Sequence, residues 1–238
     1  MRYKPSTSLL ALVIATSIAL AGCASAGNAA PAPQPTRTPQ FASLEGRFSF
    51  DRIGAFLSAV EPMVAQFFET PLPDLPDPGS IVFVPRGRAS SSPCGYHDSE
   101  AYEYCPAGQS IYIGQDLLWA FYRMGDAGPV VALAHEWGHH LQALRRVTPP
   151  RTPAQSVNYE NQADCIAGAW TNYAGAQGWL ELPDDLDDVG GLLRAIGSRE
   201  TSRRDHGTGA ERANAFHLGY RDGVKGCNSF SPGTPPVG

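Results

Sequence analysis

The sequence lacks an apolar run long enough to span a membrane comfortably. Its best candidate, residues 9–20, is about a dozen residues long, where a spanning helix needs about twenty. Basic residues are sparse too: 18 Lys and Arg stand against 23 Asp and Glu, for a formal net charge of -5. They form no stripe and do not interleave with aromatics, which excludes nucleic acid as a partner. No internal repeat is visible, so a solenoid is excluded. No two cysteines are spaced Cys-x-x-Cys, so a zinc site built on thiolates is excluded as well.

What is present falls into four parts. Residues 1–22 read as an export signal: Arg2 and Lys4 make a basic start, and the apolar run ends in Leu20-Ala21-Gly22-Cys23. That ending resembles the bacterial lipoprotein signal, which implies lipidation at Cys23 with acyl chains such as palmitate. The chain would then be an extracytoplasmic protein anchored to the bacterial cell membrane. An ordinary secretory signal, cut near Ala24 or Ala26, is the alternative. Residues 23–40 are a Pro- and Ala-rich linker with almost nothing to bury. Residues 41–230 are long enough for one domain with a single core. Residues 231–238 read as a disordered tail.

Cysteine usage agrees with export. Beyond Cys23 the chain has four: Cys94, Cys105, Cys165 and Cys227. An even number outside the cytoplasm suggests two disulfides, and four cysteines allow three pairings. A short polar loop separates Cys94 from Cys105, which favours that pair and leaves Cys165 with Cys227.

The most informative stretch is Val130-Val131-Ala132-Leu133-Ala134-His135-Glu136-Trp137-Gly138-His139-His140-Leu141. On a helix, residues four apart share a face, so His135 and His139 can aim both imidazoles at one zinc ion. Glu136, one step away, is placed to act as general base on a zinc-activated water. The apolar neighbours predict a buried helix, where such polar groups are costly without a partner. A metal supplies one. His140 is off the ligand face and is read as a capping or surface group.

Around this helix the pattern is mostly helical. Apolar spacing predicts a helix over residues 49–69, with Pro62 kinking it or starting a second one. Residues 81–84 and 110–113 read as strands, and 116–122 as a helix. Gly128-Pro129 opens the central helix and Thr148-Pro149-Pro150 follows it. Thr152-Pro153-Ala154-Gln155 reads as a capping box starting the next. Residues 184–198 and 209–220 are further helices. The fold class is therefore α+β, mainly helical.

That next helix carries Glu160-Asn161-Gln162-Ala163-Asp164. Glu160 and Asp164 share a face with Ala163 and Ala167, small residues that allow a neighbouring helix to come close. Glu160 can complete the metal ligands. Asp164 can accept the proton of a ligating imidazole and fix its tautomer.

His-Glu-x-x-His followed by Glu-x-x-x-Asp resembles the gluzincin metallopeptidases. More closely, residues 78–230 resemble the bacterial neutral zinc metallopeptidase family. The resemblance rests on the two motif helices, on Tyr104-Cys105-Pro106, Ile111-Tyr112-Ile113 and His206-Gly207-Thr208, and on the cysteine-bearing end. It implies a minimal zincin-like domain with a short sheet and an active-site helix pair. It further implies Zn2+ on His135, His139 and Glu160, Glu136 as base, and Asp164 behind His135. His206 would help to stabilise the oxyanion, or else cap the last helix. A peptide or protein substrate would lie extended along a strand edge, for which residues 110–113 are the candidate; Tyr112 there contacts substrate or packs in the core. Two rival functions stay open: a catalytically silent zinc-binding lipoprotein, and a zinc hydrolase acting on cell-wall peptides.

Overall fold

The computed structural model describes residues 44–69, 75–197 and 206–237. The export signal, Cys23 and the linker to residue 40 lie outside the described residues. Everything described belongs to the unit Arg37–Gly238.

Among the described residues there are six helices and a small sheet, against which α2 and α3 pack. Helix α1 (Ile53–Glu69) follows a 3-10 turn at Phe50–Arg52 and buries Ile53, Phe56, Val60, Val64 and Phe67 at helical spacing. It runs through Pro62 as one element, where the sequence predicted a kink or a fresh start. Met63 and Val64 just after the proline are fully buried, and that packing outweighs one missing hydrogen bond.

Five short strands follow: β1 (Ser80–Val84), β2 (Ser90–Ser92), β3 (Gly95–His97), β4 (Tyr102–Cys105) and β5 (Ser110–Gly114). Strands β2 and β3 form a separate hairpin. The three-stranded sheet has the order β1-β5-β4, with β1 parallel and β4 antiparallel to β5. So β5, the strand expected to take substrate, is central and has both edges paired. Its five residues are all buried, and Tyr112 stacks on His97 with ring centroids 3.7 Å apart. The edges are β1 and β4, neither with a strand on its other side among the described residues.

Helix α2 (Gln115–Tyr122) leads into α3 (Ala127–Leu144), which is buried along nearly its whole length, as its apolar run demands. Helix α4 (Pro153–Ala176) starts as expected at Thr152, whose hydroxyl accepts from the Gln155 amide at 3.3 Å. The capping box is only half made: the Gln155 side chain accepts from the Arg151 amide instead. The complete box is at α6 (Gly209–Gly226), between Thr208 and Glu211. Helix α5 (Asp184–Gly197) packs between them in sequence and against both α3 and α6.

Two seams of small residues set the spacing of the site helices. A Cβ on Gly138 of α3 would lie 3.0 Å from the Ala163 Cα of α4. A Cβ on Gly168 would lie 2.0 Å from the Phe216 carbonyl oxygen, and one on Gly219 only 1.7 Å from that of Cys165. Backbone meets backbone there, so Gly219→Ala forces α6 off α4. It is expected to cost about 2–3 kcal/mol, read as a lower urea midpoint at unchanged slope.

Disulfides join Cys94 to Cys105 and Cys165 to Cys227. The second ties α4 to a 3-10 turn, Cys227–Phe230, that ends α6. The tail beyond it is not loose as far as residue 237. Asn228 donates to the Val237 carbonyl at 3.0 Å and accepts from its amide at 3.4 Å, and Val237 packs on the core. Its polar composition hid this, because one asparagine two-handedly replaces a strand partner. Among the described residues no helix is long and apolar enough to cross a membrane.

Candidate active site

Helices α3 and α4 bring three side chains to one point. One ring nitrogen from each of His135 and His139 and one carboxylate oxygen of Glu160 all lie within 4.8 Å of each other. The His135 Nε2 is 3.4 Å from one Glu160 oxygen and the His139 Nε2 is 3.5 Å from the other. The gap between these atoms is the right size for a metal ion.

The other ring nitrogens are held from behind. The His135 Nδ1–H donates to Asp164 Oδ1 at 2.9 Å, and the His139 Nδ1–H donates to Gln142 Oε1 at 2.7 Å. Gln142 is oriented in turn: its amide nitrogen donates to the Tyr159 carbonyl and to Gln162 Oε1. Gln162 donates onwards to the Cys227 carbonyl and to Ser231. Both imidazoles therefore present a bare Nε2 to the centre. Tyr159 stacks on the outer face of His139, rings 5.3 Å apart.

Sequence reasoning missed Arg212. It is buried on α6 and donates to Asp164 Oδ1 at 2.8 Å, while its other terminal nitrogen is 4.0 Å from Glu160. It also donates to the His206 carbonyl at 3.5 Å. One signal was available: Arg212 shares its helix face with Ala215, Phe216 and Gly219, all buried. A cation on an otherwise apolar face implies a buried anion. Arg212→Leu leaves Asp164 half-partnered, and a loss of about 3–5 kcal/mol in thermal or urea unfolding is expected.

His206 does reach the site. Its Nδ1 is 3.3 Å from Glu160 Oε2, at the rim, with the side chain largely exposed. Thr208 makes the α6 cap, so His206 does not. His140 differs from its expected place. It is buried, bonded through Nδ1 to the Tyr104 hydroxyl at 2.9 Å and through Nε2 to the Pro76 carbonyl at 2.8 Å. It ties α3 to β4 and to the loop before β1, a tertiary role that helix spacing does not reveal.

The electrostatics ask for positive charge. Burial opposes a charged His135, yet Asp164 and then Glu160 raise its pKa to about 10. His139 is likewise raised by Glu160 against its burial. Burial would raise Glu160, but His139 and His135 hold it well below the usual carboxylate range. Burial pushes Glu136 up, and the two imidazoles offset this only in part. With neutral imidazoles, three carboxylates (Glu136, Glu160, Asp164) face one guanidinium. The surplus of two negative charges, the open Nε2 atoms and the nitrogen-and-oxygen donor set fit a divalent transition ion.

The cluster lies in a cleft of about 620 Å³ whose walls include Tyr104 of β4, Val131 of α3 and Leu193 of α5. Glu136 is in its lining, beside the three donors.

Paired imidazoles on one helix, a carboxylate on the next and a carboxylate behind the first imidazole make up a candidate metal site on a helix pair within a mainly helical α+β domain. The chain belongs to the family described as "Putative neutral zinc metallopeptidase", whose model matches residues 16–230. It is 31% identical over 153 residues to the uncharacterized protein YpfJ of Escherichia coli strain K12, covering 53% of each chain. It is 31% identical over 170 residues to the uncharacterized protein Rv2575 of Mycobacterium tuberculosis, covering 58% of each. The chain thus spans little more than half the length of these curated relatives. No solved structure matches.

Proposed function

We propose that this chain is an extracytoplasmic zinc peptidase that hydrolyses peptide bonds with Glu136 as general base. The observation that carries the reading is the convergence of His135, His139 and Glu160 on one point, with a buried carboxylate, Glu136, next to it. A silent zinc site has no use for that fourth group, and structural sites are usually closed by four ligands. When bound by the three, zinc would supply Lewis acidity and lower the pKa of a water towards 7.

The protein's own groups account for the rest. Glu136 accepts the proton of the attacking water and returns it to the leaving amine. Asp164 and Gln142 hold the two imidazoles in one tautomer. Strand β4, not β5, offers its outer backbone edge to an extended peptide, and Tyr102, Glu103 and Tyr104 line the cleft there. His206, at the rim beside Glu160, is placed to donate to the substrate carbonyl oxygen. Lipidation at Cys23, supported by Leu20-Ala21-Gly22-Cys23, would tether the domain to the membrane through the linker.

Metal analysis and a mixed peptide library test this. The purified chain should carry one zinc and cleave peptides; 1,10-phenanthroline should stop cleavage, and added zinc should restore it. A zinc-loaded chain that cleaves no peptide, of protein or cell-wall origin, would sink the reading.

A further inference from the structure

A second group of acidic side chains lies away from the cluster above. Asp126, just before α3, and Asp185 and Asp188, on α5, each place a carboxylate oxygen within 4.8 Å of the other two. Asp126 is only 3% exposed and Asp185 only 4%. No Lys or Arg pairs with any of the three among the described residues. Charge alone would push these groups apart, and burial makes the repulsion stronger.

Asp126 gives the independent sign of a ligand. It stands just before α3 with φ -75 and ψ -22, already helical backbone, and its side chain makes no cap hydrogen bond. Its Oδ2 is buried and has no hydrogen-bond partner at all. The buried carboxylate lies instead beside the two aspartates of α5. Asp188 meets it from the other side, lying so close over Gly125 that a Cβ there would be 1.8 Å from Asp188 Oδ2. Gly125 has φ +127, a backbone conformation that reserves that position for glycine. Asp185 is fixed by accepting from the Glu181 amide. Burial and the neighbouring carboxylates raise Asp126 to about 7 and Asp188 to about 6.

We propose that Asp126, Asp185 and Asp188 form a calcium site that clips α5 to the start of α3. The donor set is oxygen only, which selects a hard cation over zinc. Three carboxylates can offer up to six oxygens, suiting Ca2+; Mg2+ prefers to keep its waters and fits a buried site poorly. Glu45, whose charge acts on all three, adds to the field. The site has a clear task. Helix α3 carries the paired imidazoles, and α5 carries Leu192, Leu193 and Ile196 of the cleft wall. A cation joining them sets the width of the cleft.

The test uses the purified chain loaded with one zinc and freed of calcium on a chelating resin. Titration calorimetry with CaCl2 should give one Ca2+ per chain, and a hundredfold excess over Kd should raise Tm by about 5–10 °C. Asp188→Asn should weaken calcium binding tenfold or more while zinc content stays at one per chain. Asp126→Asn should do the same. No calcium uptake by the wild type at millimolar CaCl2 overturns the proposal. So does an Asp126→Asn chain whose Tm rises equally with and without calcium, since that describes carboxyls sharing protons. Zinc content and peptide cleavage are read separately, so failure here leaves the peptidase reading standing.

Discussion

Glu136→Gln is expected to keep one zinc per chain and lower kcat/KM for peptide cleavage by about a thousandfold or more. The amide has the shape of the carboxylate but cannot take a proton from water. None of the three donor atoms is touched, so metal content should not change. Stability should hold or rise. Glu136 is buried, burial works against its charge, and a neutral amide removes that penalty. Zinc analysis, urea unfolding and kinetics on one preparation separate these effects. A fully active Glu136→Gln chain would end the general-base role.

The second large effect is at Glu160. Glu160→Ala should strip the chain of zinc after ordinary purification and take hydrolysis to background, although Glu136 is intact. Both imidazole Nε2 atoms face this carboxylate, and His206 and Arg212 lean on it as well. Two neutral imidazoles alone are a weak site. An alanine variant with one tightly held zinc would show that the third donor lies elsewhere. The contrast with Glu136→Gln is diagnostic: one loses the metal, the other only the chemistry.

Much of this centre was legible in the chain because its parts are local. His135 with His139, and Glu160 with Asp164, are each one helical turn apart, and spacing alone puts each pair on one face. The apolar residues around them announced burial, and burial made a solvated acidic face the poorer explanation. What spacing does not carry is which helix faces which. Arg212 lies 48 residues beyond Asp164, and only the fold joins them. Gln142, three residues after His139, was on a readable face, but its role depends on Gln162 fixing its amide. Strand β5 was recognisable as a strand, yet its place in the sheet was misread. Three consecutive apolar residues, Ile111-Tyr112-Ile113, are the mark of a strand covered on both faces, which argues for a middle position. His140 was misplaced because its partners, Tyr104 and Pro76, come from other segments.

The relay of side-chain amides from His139 through Gln142 and Gln162 to Cys227 and Ser231 makes the far end of the polypeptide a party to the chemistry. Ending the chain at Cys227 deletes no donor to the ion and keeps the Cys165–Cys227 bridge, yet it takes Ser231 from Gln162 and loosens the amide that orients Gln142. The ring that Gln142 steadies would then sample its unproductive tautomer. Proteolytic trimming of the eleven residues beyond Cys227 would thus act as a remote dimmer on the site.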